Sequence, residues 1–162
     1  MEMKTLQDLF VDVLKDTYDA ENQITKALPK IAKAAHNPDL KAGFEMHLTQ
    51  TENHIKRLEQ VFDAVGHKAA RKTCKGMKGL LEEGSELMKE DATPEVRDAG
   101  LIAAAQKVEH YEISAYGTLI AYANQLGKDN VVSLLQQTLQ EEKDTDEKLT
   151  DLAESQVNLE AA

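Results

Sequence analysis

The sequence predicts an all-α fold built from four long amphipathic helices. The chain has 162 residues, of which 41% are apolar and 30% charged, and it is rich in residues of high helix propensity such as Ala, Leu, Glu, Lys and Gln. Apolar residues recur every three or four positions along most of its length. Proline follows a capping residue at Asn37–Pro38 and again at Thr93–Pro94, a pattern typical of helix starts. The length fits one domain, so we expect residues 1–162 to form a single bundle.

Apolar stripes and capping residues place the four helices along the chain. Helix A is predicted at about residues 5–35 and helix B at residues 38–66. Helix C begins at residue 94 and ends before residue 127, and helix D covers about residues 130–156. Residues 158–162 are expected to fray.

The connections between the helices refine this fold prediction. Helices A and B, and likewise C and D, are joined by short turns, so each pair should be antiparallel. Helices B and C are separated by residues 67–93, a crossover that holds a short extra helix at about residues 73–90. A long crossover is typical of a ferritin-like bundle rather than a simple up-and-down bundle. We therefore expect a ferritin-like four-helix bundle with a short fifth helix.

Charge and cysteine content exclude several classes of function. The formal net charge is -10 and the isoelectric point about 5.0, which disfavours binding to nucleic acids and anionic membranes. No apolar stretch approaches membrane-spanning length, and no basic segment followed by an apolar run begins the chain, so the cytoplasm is the expected compartment. Cys74 is the only cysteine, which rules out an internal disulfide. It precedes a glycine-rich connection and is expected to be somewhat exposed.

Acidic residues occupy positions where the helical period calls for core residues. At about 100° per residue, five carboxylates fall within the apolar arcs of three helices; they are Glu21 in helix A, Glu109 and Glu112 in helix C, and Glu142 and Asp146 in helix D. At about 1.5 Å per residue, each helix places its first acid roughly 20 Å from its start, near mid-bundle, so the acids should converge. Uncompensated burial of a carboxylate costs several kcal/mol, so either cations bind there or several acids are held protonated.

Helix B contributes a less regular set of polar side chains. His47 and His54 flank its inward arc one heptad apart, with Gln50 between them. Dimetal bundles of this type take a Glu-x-x-His pair from each of two helices. The corresponding spacing gives Thr51 with His54 on helix B, and Glu142 with a threonine on helix D, so both pairs are incomplete.

The candidate metal ligands come from all four helices. They are Glu21, His47, Gln50, His54, Glu109, Glu112, Glu142 and Asp146. Carboxylate-rich sites prefer hard cations and histidine favours iron, so iron or manganese is expected, in a dinuclear or a mononuclear centre, if metal is bound at all. Tyr116 should be a core residue whose hydroxyl bonds to Glu112, and Glu141 should face solvent.

Four stretches of the chain resemble the YciE/YciF family of bacterial stress-associated ferritin-like proteins. They are MKTLQDLFVDVLKDTYDAENQITKAL, HLTQTENHIKRLEQVF, RDAGLIAAAQKVEHYEISAYGTL and QTLQEEKDTDEKLTDLA. Together with the segments between them they cover nearly the whole chain. The resemblance implies a rubrerythrin-like bundle that dimerises and is induced under stress. It selects as site residues Glu21, His47, Glu109, Glu112 and Glu142, and family members commonly have Glu where this chain has Gln50.

Two hypotheses of function follow from these residues. In the first, a stress-associated bundle binds iron or manganese in its core and handles oxygen, peroxide or the metal itself. In the second, a metal-free homodimer keeps the bundle and acts through its surface as a structural or interaction protein. The inward acids favour the first and the incomplete Glu-x-x-His pairs favour the second, so the sequence leaves both open.

Overall fold

A computed structural model describes residues 3–162, which form helices and contain no strand. The helices are α1 (Leu6–Ala34), α2 (Pro38–Ala64), α3 (Lys75–Leu87), α4 (Pro94–Gln125), α5 (Asp129–Leu152), a π-helical turn (Ala153–Val157) and α6 (Asn158–Ala161). The all-α prediction is confirmed, with α3 as the predicted extra helix in the crossover. Within residues 3–162, none of the helices combines the length and the hydropathy that crossing a membrane requires.

The helix boundaries follow the capping residues read from the sequence. Thr5, Asn37 and Thr93 each accept a hydrogen bond from a backbone N–H in the first turn of the helix they precede. Gly66 and Gly127 follow α2 and α4 in the left-handed region, with φ of 74° and 65°. A residue without a Cβ adopts this conformation at no steric cost, which ends each helix and turns the chain back.

The four long helices pack as a square in which each helix contacts two neighbours, in the order α1, α2, α5, α4. Two apolar cores fill its two ends. The first core joins the start of α1 to the ends of α2 and α4 and the start of α5, through residues such as Phe10, Phe62, Leu119 and Val131. The second core joins the opposite ends, through residues such as Leu28, Leu40, Leu101 and Leu149. All neighbouring helices are therefore antiparallel, as the short turns predicted and as a ferritin-like bundle requires.

The C-terminal residues depart from the prediction of a frayed tail. The chain continues through the π-helical turn into α6, and both segments pack against α4. Val157 is only 1% exposed, and the side-chain oxygen Oε1 of Gln156 accepts a hydrogen bond from the side-chain amide of Asn37 at 3.2 Å. Burial of Ala153 and Val157 offsets the entropy of ordering these residues. The helical period of the sequence gives the angular positions of Ala153 and Val157, but it does not predict which surface of the bundle covers these two residues.

The crossover is pinned to α1 by a buried carboxylate. Asp19 accepts hydrogen bonds from the Cys74 backbone N–H at 2.8 Å and from Arg71 Nε at 2.7 Å. The Cys74 thiol caps the start of α3 and lies 3.0 Å from the Tyr111 hydroxyl. Cys74 is fully buried, so the expectation of partial exposure is wrong. Burial raises the pKa of its thiol, which makes it a poor nucleophile.

Candidate metal centre

A polar layer separates the two apolar cores. Glu21, Glu109, Glu112 and Glu142 are each at most 2% exposed, and they enter this layer from α1, α4 and α5. From α2 come His47 and His54, which are 4% and 1% exposed. The structure thus brings together six of the eight predicted residues. The four carboxylates therefore lie inside the bundle and not along a solvent-exposed edge of it.

One group of side chains surrounds His47. It consists of His47, Glu109, Glu112 and Glu142, each of which offers one donor atom within 4.8 Å of the others. His47 Nδ1 lies 3.0 Å from Glu109 Oε1. Three carboxylates and one imidazole are a donor set that suits iron or manganese.

A second group surrounds His54. It consists of Glu21, His54 and Glu142, with donor atoms again within 4.8 Å of one another. His54 Nδ1 lies 2.8 Å from Glu142 Oε1 and 3.3 Å from Glu21 Oε1. Glu142 belongs to both groups, so its two oxygens could bridge two cations. The two histidines of α2, one heptad apart, contribute one imidazole to each group in place of the missing Glu-x-x-His pairs.

Many donor atoms in this layer are buried without a hydrogen-bond partner among the described residues. Besides His54 Nδ1 and Glu142 Oε1, which contact each other, six such atoms belong to five side chains: Glu21 Oε2, His47 Nε2, Glu109 Oε2, both carboxylate oxygens of Glu112, and Glu142 Oε2. A buried polar atom left unpaired costs about 1–3 kcal/mol. Proteins rarely tolerate so many in one place, and cation ligation would satisfy them together.

A carboxylate and an arginine hold His54 from behind. His54 Nε2 donates to Glu141 Oε2 at 2.8 Å, which leaves Nδ1 facing the two acids. Arg57 donates to both oxygens of Glu141 at 2.8 Å and to the Thr138 hydroxyl at 3.1 Å. Glu141 was predicted to face solvent; it is 25% exposed, but the prediction missed that its carboxylate turns towards His54 and Arg57. A carboxylate that fixes the imidazole tautomer is a recurrent partner of metal-bound histidine. The sequence offered a signal for Arg57, which lies three residues after His54 on the same helix face.

Tyr116 lies in the core as predicted, but its hydroxyl has a different partner. It is fully buried and donates to Glu21 Oε1, not to Glu112. Its ring also packs edge-on against His54, with ring centroids 6.4 Å apart. The hydroxyl thus occupies one oxygen of Glu21 and orients the other.

Asp146 and Gln50 belong to neither group. Asp146 is 21% exposed and its Oδ2 lies 3.1 Å from Nε2 of the exposed His110. Gln50 is half-buried and accepts a hydrogen bond from the Thr145 hydroxyl at 3.4 Å. Gln50 lies near the edge of the inward arc of α2, whereas Asp146 is inward by phase and its carboxylate turns to His110 of the neighbouring α4.

Burial and mutual repulsion set the protonation of the acids. Burial, with the neighbouring Glu142, raises the pKa of Glu109 well above its ordinary value. Burial, with the charges of Glu142 and Glu21, raises the pKa of Glu112 in the same way. Burial opposes ionisation of Glu142, yet hydrogen bonding to Glu109 and His54 outweighs it and lowers the pKa of Glu142 to about 2.

The two histidines respond to the same surroundings in opposite directions. Burial lowers the pKa of His47. Burial alone would lower the pKa of His54 as well, but Glu142 and Glu21 outweigh it and raise that pKa to about 10. Without metal, the layer therefore limits its charge by protonating Glu109, Glu112 and His54. Two divalent cations would balance four ionised carboxylates and two neutral imidazoles.

Comparisons with known proteins agree with this architecture. Residues 5–162 match a family described as a domain of unknown function, DUF892. The chain is 51% identical over 162 residues to protein YciF of Escherichia coli K12, covering 99% of this chain and 98% of that protein.

Solved structures give the same result. The crystal structure of the E. coli stress protein YciF superposes with a TM-score of 0.93, covering 96% of this chain and 99% of that one. YcfI from Rhodopseudomonas palustris, 46% identical, has a TM-score of 0.90 with coverage of 92% and 95%. A protein from Xanthomonas campestris, 20% identical, has a TM-score of 0.77 with coverage of 96% and 95%, and shares the fold. The chain therefore belongs to the DUF892 family.

Proposed function

We propose that this protein binds two divalent cations, iron or manganese, in the polar layer of its bundle. One cation would lie among Glu21, His54 and Glu142, and the other beside His47 and Glu109. The observation that carries the proposal is the set of six unpartnered donor atoms buried in this layer, together with the two groups of ligand atoms that lie within 4.8 Å of one another. Their oxygen-rich composition suits hard cations, and the two imidazoles favour iron.

The biological setting is proposed from the relatives. YciF of E. coli is named a stress protein. We propose that this chain also acts under stress, by holding the metal or by using it on oxygen or peroxide. Bound iron or manganese would supply one-electron chemistry that no side chain of the layer provides.

The protein's own residues would then have distinct roles. Glu142 would serve both cations, because it belongs to both groups of donors. Tyr116 fixes one oxygen of Glu21, and Glu141 keeps Nδ1 of His54 turned towards the acids. The two apolar cores above and below the layer exclude water, which strengthens every electrostatic interaction inside it.

Elemental analysis of protein purified without chelator tests the proposal directly. We expect up to two metal ions per chain. In the metal-free protein, anaerobic Fe(II) or Mn(II) at a hundredfold excess over Kd should stabilise the fold by about 2.7 kcal/mol. For a domain of this size, this corresponds to a rise of roughly 5–10 °C in Tm.

The double variant Glu109→Gln, Glu112→Gln is the matched test. Both acids have raised pKa values, so neutral glutamines should leave the metal-free protein about as stable as the wild type. The metal-dependent rise in Tm should shrink and the bound metal should fall to at most one ion per chain, because the group around His47 loses two of its four ligands while Glu21, His54 and Glu142 remain. Glu147→Gln, at an exposed position of α5, should keep the full rise. No bound metal and no shift in the wild type would refute the proposed centre.

The alternative is a metal-free homodimer that acts as a structural protein. One relative, YcfI of R. palustris, is described as a candidate structural protein. The protonated states of Glu109 and Glu112 would let the layer persist without metal. A negative result in both metal experiments would favour this function.

A further inference from the structure

An apolar cavity leads from the surface of the bundle to the polar layer. It has a volume of about 60 Å³ and is lined mainly by aliphatic side chains from all four long helices, among them Ile24, Leu28, Val108 and Leu149. At its inner end lie His47 and Glu109. It therefore touches the candidate metal centre on the side of His47.

The cavity opens between α2 and α5. Met46 and Lys148 line it and are exposed, and Met46 retains 50% of its accessible surface. Gly43 lines the same opening, and a Cβ added to it would meet no atom within 4 Å. The chain thus places its smallest residue where α2 borders the opening.

The size and lining of the cavity limit what can occupy it. Its volume is less than half of the ~150 Å³ of an apolar cavity that binds benzene, so aromatic and longer molecules are excluded. A buried water needs two to four polar partners. The lining is mainly apolar; besides His47 and Glu109, its polar side chains are Gln50 and Thr145, which bond to each other, and the exposed Lys148. Nε2 of His47 is buried without a partner at the inner end.

We propose that this cavity binds a small apolar molecule of the size of dioxygen and admits it to the His47 side of the polar layer through the gap between α2 and α5. Its role as a supply path rests on the metal centre proposed above. Binding of the small molecule in the cavity is independent of that metal centre, because protein side chains alone form the lining.

Xenon and dissolved dioxygen test the proposal on the full-length protein without added metal. Methyl resonances of Ile24, Leu28 and Leu149 should shift saturably under xenon pressure. Under oxygen pressure they should relax several-fold faster than methyls of Leu14 and Leu135, which are also buried, in the first core; Ile24, at 2% exposure, is the matched comparison for Leu135 at 1%. Equal responses in both sets, or none, would overturn the proposal, and so would ordered water found in the cavity by nuclear Overhauser effects.

Two variants of Gly43 test the path. Gly43→Leu has room to extend across the opening, and it should reduce the xenon and oxygen effects by about threefold or more. Gly43→Ala shares the gain in helix propensity but leaves the opening free, so it should behave like the wild type. A full response in Gly43→Leu would overturn the path between α2 and α5.

Ala105→Leu gives a second test should Gly43→Leu disturb folding. It fills the cavity from α4 and must also remove the response to xenon and oxygen. Because no metal is present, failure here leaves the proposed metal centre untouched.

Discussion

The protonation of His54 couples the stability of the metal-free protein to pH. The pKa of His54 is raised from 6.5 to about 10 in the folded state, so folding takes up a proton at neutral pH. The stabilisation is complete below the unfolded pKa and is lost as pH rises towards 10. We expect the metal-free protein to be more stable at about pH 6.5 than at about pH 8 by roughly 1.5 kcal/mol, measured by urea unfolding.

Between about pH 6.5 and pH 8, the titration of neighbouring groups does not reverse the expected loss of stability. The raised pKa values of Glu109 and Glu112 act in the same direction. The lowered pKa of His47 opposes it only as pH falls through the unfolded value of 6.5. In His54→Gln the difference between the two pH values should shrink by more than half. If His54→Gln leaves the difference in unfolding free energy between the two pH values unchanged, that difference arises from surface charges and not from His54.

Glu141 is expected to act on metal affinity without ligating metal. It holds Nε2 of His54 and is itself held by Arg57. Glu141→Gln weakens both contacts but removes no ligand, so Mn(II) affinity should fall about 10–100-fold in a competition titration. Asp144→Asn, at an exposed position of the same helix three residues after Glu141, is the control and should leave the affinity unchanged. Equal affinities in Glu141→Gln and wild type would count against the orienting role.

At the scale of elements, the attachment of the crossover to α1 depends on Asp19. This carboxylate is 4% exposed, and burial alone would raise its pKa; the hydrogen bonds it accepts from the Cys74 backbone N–H, Gln23 and Arg71 outweigh burial and lower that pKa. Asp19→Asn should cost about 2–3 kcal/mol, because the bonds to a charged acceptor are lost. Loosening of the crossover should also expose the Cys74 thiol, so its reaction with a thiol reagent should accelerate.

Asp12→Asn provides the matched control for the crossover. Asp12 also pairs with a crossover residue, Lys72, at 2.5 Å, but half of the Lys72 side chain is exposed. An ion pair of this kind contributes at most about 1 kcal/mol. Thiol reactivity should therefore stay at the wild-type level. Similar losses in the two variants would show that Asp19 is not the anchor.

At the scale of the whole molecule, we propose a homodimer. The family resemblance implies one, and Met46, Val96 and Leu159 expose 47–69% of their surface. A stable interface would bury more than roughly 1,000 Å² in total. Light scattering at micromolar concentration should give about 36 kDa, twice the 18.0 kDa of the chain. A mass near 18.0 kDa would rule this out.

The sequence by itself determined the helices, their order and the level at which the acids lie. Capping residues such as Thr5 and Asn37 act within one helical turn, so local chemistry fixes where a helix starts. The helical period likewise gives each residue's angle about its own axis and its height along it. This was sufficient to place Glu21, Glu112 and Glu142 inside the bundle before any contact was known.

Only the tertiary structure decided which atoms meet. The periodicity of one helix carries no information about the rotation or spacing of its neighbours, or about side-chain rotamers. The partner of Tyr116, the sharing of Glu142 between two groups and the turn of Glu141 towards His54 depend on these quantities. The burial of Cys74 depends in the same way on where the crossover folds back onto α1. Asp146 shows the limit most clearly. Its position on the apolar stripe of α5 is inward by helical phase. The neighbouring helix α4, however, places the exposed His110 beside it, and the carboxylate of Asp146 turns to that side chain.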